Sequence, residues 1–362
     1  MENCKLYYLS FSHFFGIGPI KLKALIDSFG SVKDAYDAKE KDLSLVIGQT
    51  LAKKFIHFKN IFDPVKRLVE LNKKQVSVIN WEDKKYPSLL KNIPDPPICL
   101  YVKGNVDNFD FDKLTIGIVG TRTPTIYGQQ VAKKFSSELT RAGFTIISGL
   151  AIGIDAIAHW ECLNSAGKTI AVLGCGVNVI YPADNRNLYY KIIEKGGLII
   201  SEFPPEQLVL KGLFISRNRI ISGLSKGVII IEGGEHSGAL ITARYAAEQG
   251  RDVFAPPSPI NSDMSKAPNI LLKEGAKLIT SVNDIFEEFN LKITPAKKED
   301  ILKDLSVEEK SIVELLAKKS TIVDEIVVSI KMPTNQVLNI LSVLEIKGII
   351  EKNSQNQYQL RF

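Results

Sequence analysis

Ile116-Gly117-Ile118-Val119-Gly120-Thr121-Arg122-Thr123 is followed by Phe144 to Asp155 (FTIISGLAIGID). Each stretch reads as a β-strand, a Gly-turn and the start of a helix. A doubly wound parallel sheet presents backbone amides at such turns, at the carboxyl ends of its strands, and phosphate groups are held there. The dinucleotide fingerprint G-x-G-x-x-G is absent, because Gly117-Ile118-Val119-Gly120 does not fit it. Instead Arg122 enters the first turn, and later segments add Lys168, Arg217 and Arg219. The pattern predicts a site for phosphate that is not a site for NAD.

Outward from this stretch, residues 115–289 alternate with the period of an α/β sheet. Strands are predicted at Thr115–Val119, Phe144–Ser148, Lys168–Leu173, Gly197–Ser201, Gly227–Glu232 and Asp252–Ala255. Helices are predicted at Tyr127–Ala142, Ile154–Ala166, Asn185–Lys195, Asn218–Leu224 and Gly238–Gln249. Continuous apolar runs such as Val228-Ile229-Ile230-Ile231 are what a parallel sheet covered on both faces requires. Residues 76–114 connect into this core, with Pro87, Pro94, Pro96 and Pro97 preventing a long helix and short strands at Val76–Asn80 and Ile98–Val102.

Residues 1–75 read as short helices. Phe15-Gly16-Ile17-Gly18-Pro19 opens one of them, with Leu22, Leu25, Ile26 and Phe29 at helical spacing. Such a Gly-x-Gly turn is the helix-hairpin-helix device for a DNA phosphate, with Lys21 and Lys23 placed to help, or else a turn that only packs tightly. Residues 290–298 form a polar linker. In 299–362, Ser306-Val307-Glu308-Glu309 is a capping box, two more helices follow at Ile322–Ile330 and from Pro333, and a hairpin turns at Asn353 to Asn356. This is a winged-helix pattern. Its third helix carries Asn335, Gln336, Asn339, Glu345 and Lys347, a polar face with little positive charge, so contact with protein and contact with DNA both stay open.

The bulk numbers are those of a soluble globular chain of two or three domains: 362 residues, 45% hydrophobic and 24% charged. A net charge of +6 leans weakly toward polyanionic partners. Cys4, Cys99, Cys162 and Cys175 form no C-x-x-C pair and no zinc spacing, and read as buried thiols in a reducing cytoplasm. No signal pattern and no membrane-length apolar run is present, so no membrane partner is expected. No cofactor and no metal is expected either.

Several residues invite a chemical role. Arg122 offers a forked contact to phosphate beside Gly120 and Thr121. Ser148, Gly149 and the amides after them offer a second anion site. Asp155 and His159, four apart, suit a metal, but no further ligand is identifiable, and ordering the helix start is the simpler role for Asp155. Lys168 is a solvated strand-start lysine or an ammonium near the same anion. Cys175 between Gly174 and Gly176 has no activating His nearby in sequence. Phe214, Arg217, Asn218 and Arg219 suit stacking a base and clamping phosphates, or are a core Phe with solvated arginines. Ser237 and Gly238 open a helix after Glu232, whose carboxylate would repel phosphate and is expected to orient a neighbour or a ribose hydroxyl.

Together, IVGTR at 118–122, SGLAIGIDAIAH at 148–159, GKTIAVLGCG at 167–176, YPADN at 181–185, RNRIISGLS at 217–225 and SGALITARYAAEQGRDVFA at 237–255 resemble the DprA family, also called Smf. The connector at 86–104 matches as well. These are DNA-processing proteins that protect incoming single strands and load RecA recombinase. The resemblance implies an extended Rossmann-like parallel sheet core with a small N-terminal helical domain (helix-hairpin-helix or SAM-like) and a C-terminal winged helix. It implies a homodimer that binds single-stranded DNA, with RecA recombinase as partner, in the cytoplasm and in natural transformation. Arg122 and Lys168 match family phosphate-contacting positions, Ser148 and Gly149 its Gly-turn, and Phe214, Arg217 and Arg219 its aromatic-basic element. Ile215, Pro257 and Ala267-Pro268-Asn269 depart from the family pattern, which bears on the 256–269 loop. The function expected is therefore non-catalytic. The competing classes are a phosphoribohydrolase of the lysine-decarboxylase-like type, whose P-G-G-x-G-T-x-x-E run is not matched at 232–238, and a nucleotide sensor using the same pocket.

Overall fold

The strand–turn–helix repeats close into one sheet because their strands are apolar on both faces and cannot be left against water. The computed structural model describes residues 2–291, 305–346, 349–353 and 356–360. It divides into two compact units, Met1–Leu291 and Lys292–Phe362.

In the first unit, six helices precede the sheet: α1 (Glu2–His13), α2 (Pro19–Phe29), α3 (Val32–Asp37), α4 (Glu40–Ile47), α5 (Gln49–Ile61) and α6 (Pro64–Lys73). Gly18 caps α2 with Pro19 in its first turn, and Lys21 folds back so that Nζ donates to the Gly16 carbonyl at 3.1 Å. Phe11, Leu22, Leu25, Leu43 and Phe55 fill the core of this helical layer. Polar contacts fasten the layer to the sheet and its loops. Ser12 Oγ and Tyr101 Oη lie 2.6 Å apart, Arg67 Nε donates to His13 Nε2 at 3.0 Å, and Arg67 and Lys74 both pair with Glu206.

Nine strands then form a single sheet among the described residues: β1 (Ser77–Asn80), β2 (Cys99–Lys103), β3 (Thr115–Val119), β4 (Thr145–Ser148), β5 (Thr169–Val172), β6 (Leu198–Ser201), β7 (Gly227–Ile230), β8 (Asp252–Ala255) and β9 (Lys277–Leu278). Their spatial order is β1-β2-β6-β5-β4-β3-β7-β8-β9. The pairs from β6 to β9 are parallel, whereas β2 joins β6 antiparallel and β1 extends that edge. The helices between them are α7 (Ser88–Lys91), α8 (Ile126–Arg141), α9 (Ile154–Asn164), α10 (Arg186–Glu194), α11 (Lys211–Gly223), α12 (Gly238–Glu248) and α13 (Lys266–Lys273), and α14 (Val282–Glu288) follows β9.

The predicted strands from Thr115 to Ala255 all form, within two residues at each end. The largest departure is α11, which begins at Lys211 and not at Asn218. Its first two turns carry Lys211, Gly212 and the exposed Ile215, and the buried Arg217 follows where a core helix would carry an apolar side chain, so no apolar period marks the start.

In the second unit, helices at Val307–Leu316, Val323–Ile330 and Thr334–Ile346 pack Ile312, Val313, Ile326, Val337, Leu341 and Leu344 together, with a hairpin of β10 (Ile350–Lys352) and β11 (Tyr358–Leu360). Ser306 and Glu309 form the reciprocal capping box. Asn335, Gln336, Asn339 and Glu345 are exposed on the third helix. Lys347 and linker positions 292–298 lie outside the described residues.

Candidate functional site

β3 sends its helix toward β4, while β7 sends its helix toward β8, so the winding reverses between two neighbouring strands. The loops leaving such a pair diverge and open a crevice at the carboxyl edge. A cleft of about 660 Å3 opens there, lined by Arg122, Tyr181, Lys211, Phe214, Arg217 and Ser237, among others.

The first turn is rigid. A Cβ on Gly120 would lie 2.7 Å from Ile154 Cγ1 and 3.0 Å from the Glu232 carbonyl oxygen. Thr121 N donates to the Glu232 carbonyl at 2.8 Å, and Ile154 N donates to the Thr121 carbonyl at 3.1 Å. This stitching leaves the next residue, Arg122, exposed, and no carboxylate among the described residues pairs with it.

The N-terminus of α8 would attract an anion, and the protein supplies that anion itself. Thr125 N donates to Glu232 Oε2 at 2.9 Å, and Thr125 Oγ1 donates to Glu232 Oε1 at 2.5 Å. A Cβ on Gly128 would come within 2.1 Å of Glu232 Oε2, so a bare Cα there is what admits the carboxylate. Glu232 therefore orients a neighbour, as one of its two expected roles had it. Glu232 thus takes up the Thr125 amide and hydroxyl at the start of α8, while the Arg122 side chain stays exposed at the crevice.

The second turn differs from expectation. Ser148 is fully buried and its Oγ donates to the Ile118 carbonyl at 2.6 Å. Gly149 N and Ala151 N donate to Asp155 Oδ2 at 3.0 and 3.4 Å. The hydroxyl and these two amides are thus spent inside the protein, and Ser148 and Gly149 N do not face a ligand. Gly149 matters for another reason: a Cβ there would lie 1.6 Å from Arg217 Nη1. Arg217 is 5% exposed, donates from Nη1 to the Val172 carbonyl at 2.9 Å, and its Nε has no partner. Burial pushes the Asp155 carboxyl up, opposed by the Arg217 charge and the two amides. Burial also pushes Arg217 below its usual value, opposed by Asp155.

At the mouth, Phe214 rests on Gly174, and its ring centroid is 5.5 Å from that of Tyr181. Tyr181 is 40% exposed. Asn218 Nδ2 donates to the Gly238 carbonyl at 3.3 Å, and Ser237 Oγ caps α12 by accepting from Ala239 N at 3.3 Å. Gly120, Thr121, Arg122, Phe214, Arg217, Asn218, Ser237 and Gly238 are therefore brought to one cleft.

Besides Ser148 and Gly149, two further expected contacts are not. Arg219 is 4% exposed and turned away, with Nε 2.7 Å from Asp95 Oδ2 and Nη2 2.7 Å from Glu202 Oε2. The Glu202 pair is inside the protein and the Asp95 pair closes the guanidinium's other edge, so it has no vacancy for phosphate. Lys168 precedes β5 and so lies at the amino edge of the sheet, opposite the cleft. Its Nζ reaches the Asn108 carbonyl at 3.4 Å and lies 5.7 Å over the Phe109 ring.

The remaining candidates are also accounted for. His159 does not join Asp155 in a metal pair: its Nδ1 lies 2.6 Å from Thr169 Oγ1, and burial lowers the ring's pKa to about 3. Burial pushes the Cys175 thiol up to about 11, the reverse of an activated nucleophile. Among the described residues no cluster of three metal-ligating side chains occurs, and no helix is long and apolar enough to cross a membrane. Sequence reasoning gave no role to Tyr181 or Lys211. Lys211 was hidden by the late helix start. Tyr181 had a usable signal, an aromatic in the loop that leaves the carboxyl end of β5.

A doubly wound core with a switch-point crevice lined by an exposed arginine and aromatic rings, followed by a winged helix, defines a two-unit α/β class of ligand-binding protein. Residues 77–290 match the family model described as DNA recombination-mediator protein A, and residues 296–354 match the DprA winged helix domain. A Smf protein of Synechocystis is 35% identical over 98% of this chain and 98% of its own. The X-ray structure of DNA processing protein A from Streptococcus pneumoniae superposes with a TM-score of 0.69 at 34% identity, over 80% of this chain and 98% of that one. DNA processing protein A from Helicobacter pylori, whose structure concerns its single-stranded DNA binding mode, gives a TM-score of 0.53 at 32% identity, over 60% of this chain and 96% of that one. The chain belongs to the DprA/Smf family.

Proposed function

We propose that this protein binds single-stranded DNA without sequence preference and without catalysis, acting in DNA processing during transformation. One observation carries the reading: an exposed, unpaired Arg122 stands at the same cleft as the Phe214–Tyr181 ring pair. A free guanidinium takes a backbone phosphate, and aromatic faces take bases of any identity. The single-stranded DNA binding of the Helicobacter relative supports the same ligand. The family further supports protection of incoming strands, delivery to RecA recombinase, a homodimeric state and a cytoplasmic setting. The carboxylates nearest the cleft, Asp155 and Glu232, are bonded to backbone amides of turns and helix starts, which favours a binding role over acid–base chemistry.

The test is an anisotropy titration of labelled single- and double-stranded oligonucleotides at two salt concentrations. Phe214→Ala is expected to weaken single-strand binding by about 1–3 kcal/mol. Arg122→Ala is expected to weaken it and to lower the salt slope by about 0.7. Unchanged binding in both variants, each shown folded by circular dichroism, rejects the cleft as the DNA site.

A further inference from the structure

Arg217 lines the cleft yet is almost fully buried, and Asp155 sits beside it with the opposite charge. A carboxylate next to a phosphate site is an electrostatic cost, since it cancels a nearby cation and repels the ligand. Its contacts explain why it is there. One oxygen, Oδ2, gathers the Gly149 and Ala151 amides and so fixes the turn between β4 and α9. Gly149 in turn lies directly against the Arg217 guanidinium, where no Cβ fits. Nη1 is taken by the Val172 carbonyl at the end of β5, and Nε is left without a partner. The guanidinium is thus trapped between two strand ends, in one orientation, by a turn that Asp155 holds.

We propose that Asp155 is the positioning residue of the DNA site: it acts through the Gly149 turn and its own charge to hold Arg217 toward the cleft, and touches no DNA itself. This rests on the reading of the cleft as a single-stranded DNA site. Asp155 sets the geometry of Arg217, Arg217 supplies a directed contact, and Arg122 supplies the free, exposed charge. The proposal opposes the expectation from net charge. Removing a negative charge from a phosphate site should tighten binding if charge alone matters. Removing the group that orients Arg217 should loosen it.

Asp155→Asn separates the two, because it keeps an acceptor for the turn amides while removing the charge that faces Arg217. Labelled oligodeoxythymidine is titrated against the full-length wild type and against D155N, R217A, G149A, D155N/R217A and R122A. The expected result is a loss of roughly tenfold or more in D155N and in G149A, the size of one charge-assisted hydrogen bond. In the R217A background, D155N should cost little further, because both act through one guanidinium. Because a neutral amide oxygen is a weaker acceptor than a carboxylate, hydrogen exchange at the Gly149 and Ala151 amides should quicken modestly in D155N while exchange in the β4 strand holds, a local change that global destabilisation would not give. If D155N does not fold, Asp155→Glu, which keeps the charge but displaces the oxygen that holds the Gly149 turn, makes the same comparison alone and with R217A. Equal or tighter binding in D155N, or full additivity with R217A, overturns the proposal. Loss in R122A alongside either result keeps the DNA reading and discards only the role of Asp155, whereas no loss in R122A, R217A and D155N together discards both.

Discussion

Arg219→Ala is the perturbation that best separates what the sequence motif implies from what the fold does with it. The motif pairs Arg219 with Arg217 as a DNA-contacting element. The structure places Arg219 in a bridge between Asp95 of the connector and Glu202 at the end of β6, at 2.7 Å from each. Its side chain is 5% exposed and that of Glu202 is 13% exposed, while Asp95 is more open at 38%. Truncating the arginine leaves the Glu202 carboxylate buried with no cation, and breaking a buried pair from one side costs about 3–5 kcal/mol. The Asp95 pair adds little, since partly exposed pairs are screened. For a unit of this size, each 1 kcal/mol moves the melting temperature by about 2–4 °C, so the fall expected is on the order of 10 °C. The assay is urea and thermal unfolding together with a single-stranded DNA titration on the same preparation, scored per folded molecule. The expected outcome is a marked loss of stability with affinity held within about twofold, the size of effect given by groups that make no contact. A variant that melts like the wild type but no longer binds DNA would refute the buried-bridge account and return Arg219 to the interface.

Lys168→Ala should leave affinity and salt slope for single-stranded DNA unchanged, since Lys168 precedes β5 at the edge opposite the cleft; a drop in slope equal to that of Arg122→Ala would contradict this. Acid sensitivity should come from one buried and one half-buried imidazole. His159 and His13 have folded values lowered by burial to about 3 and about 4, and His13 Nε2 accepts from Arg67 Nε, which requires the neutral ring. Above the unfolded value of about 6.5 both states are neutral and the stability is fully present. As pH falls through 6.5 only the unfolded chain takes up protons, so stability declines until the folded values are reached. Urea unfolding at pH 7 and pH 5 should differ by about 2 kcal/mol per histidine, and His159→Gln should remove part of that difference. Glu206→Gln should weaken the tie between α6 and the 202–210 loop, seen as faster hydrogen exchange there. Unchanged exchange would show the Arg67 and Lys74 pairs to be incidental.

The sheet was legible in the sequence because its signal is redundant: each central strand is a short apolar run bounded by Gly, and each could be read without knowing its neighbours. The site was legible only where a residue's role depends on its own segment. Arg122 follows a strand and precedes a helix, and that alone places it at the carboxyl edge. The same polarity rule places Lys168, which comes before its strand, at the other edge. Arg217 and Arg219 could not be told apart in this way. They sit two residues apart on one helix, both are buried, and their fates are decided by carboxylates 124 and 17 residues away for Arg219 and by a glycine on another turn for Arg217. Partner identity of that kind is a property of the closed fold. Glu232 makes the same point from the opposite side. Read locally, an acid at a phosphate edge is a repulsive oddity. With Gly128 brought against it, it becomes an anion at the α8 N-terminus, occupying the ground where such sheets usually hold a phosphate. The cleft is then left with side-chain cations and aromatic faces, which suit a strand passing through better than a single nucleotide held at its phosphates.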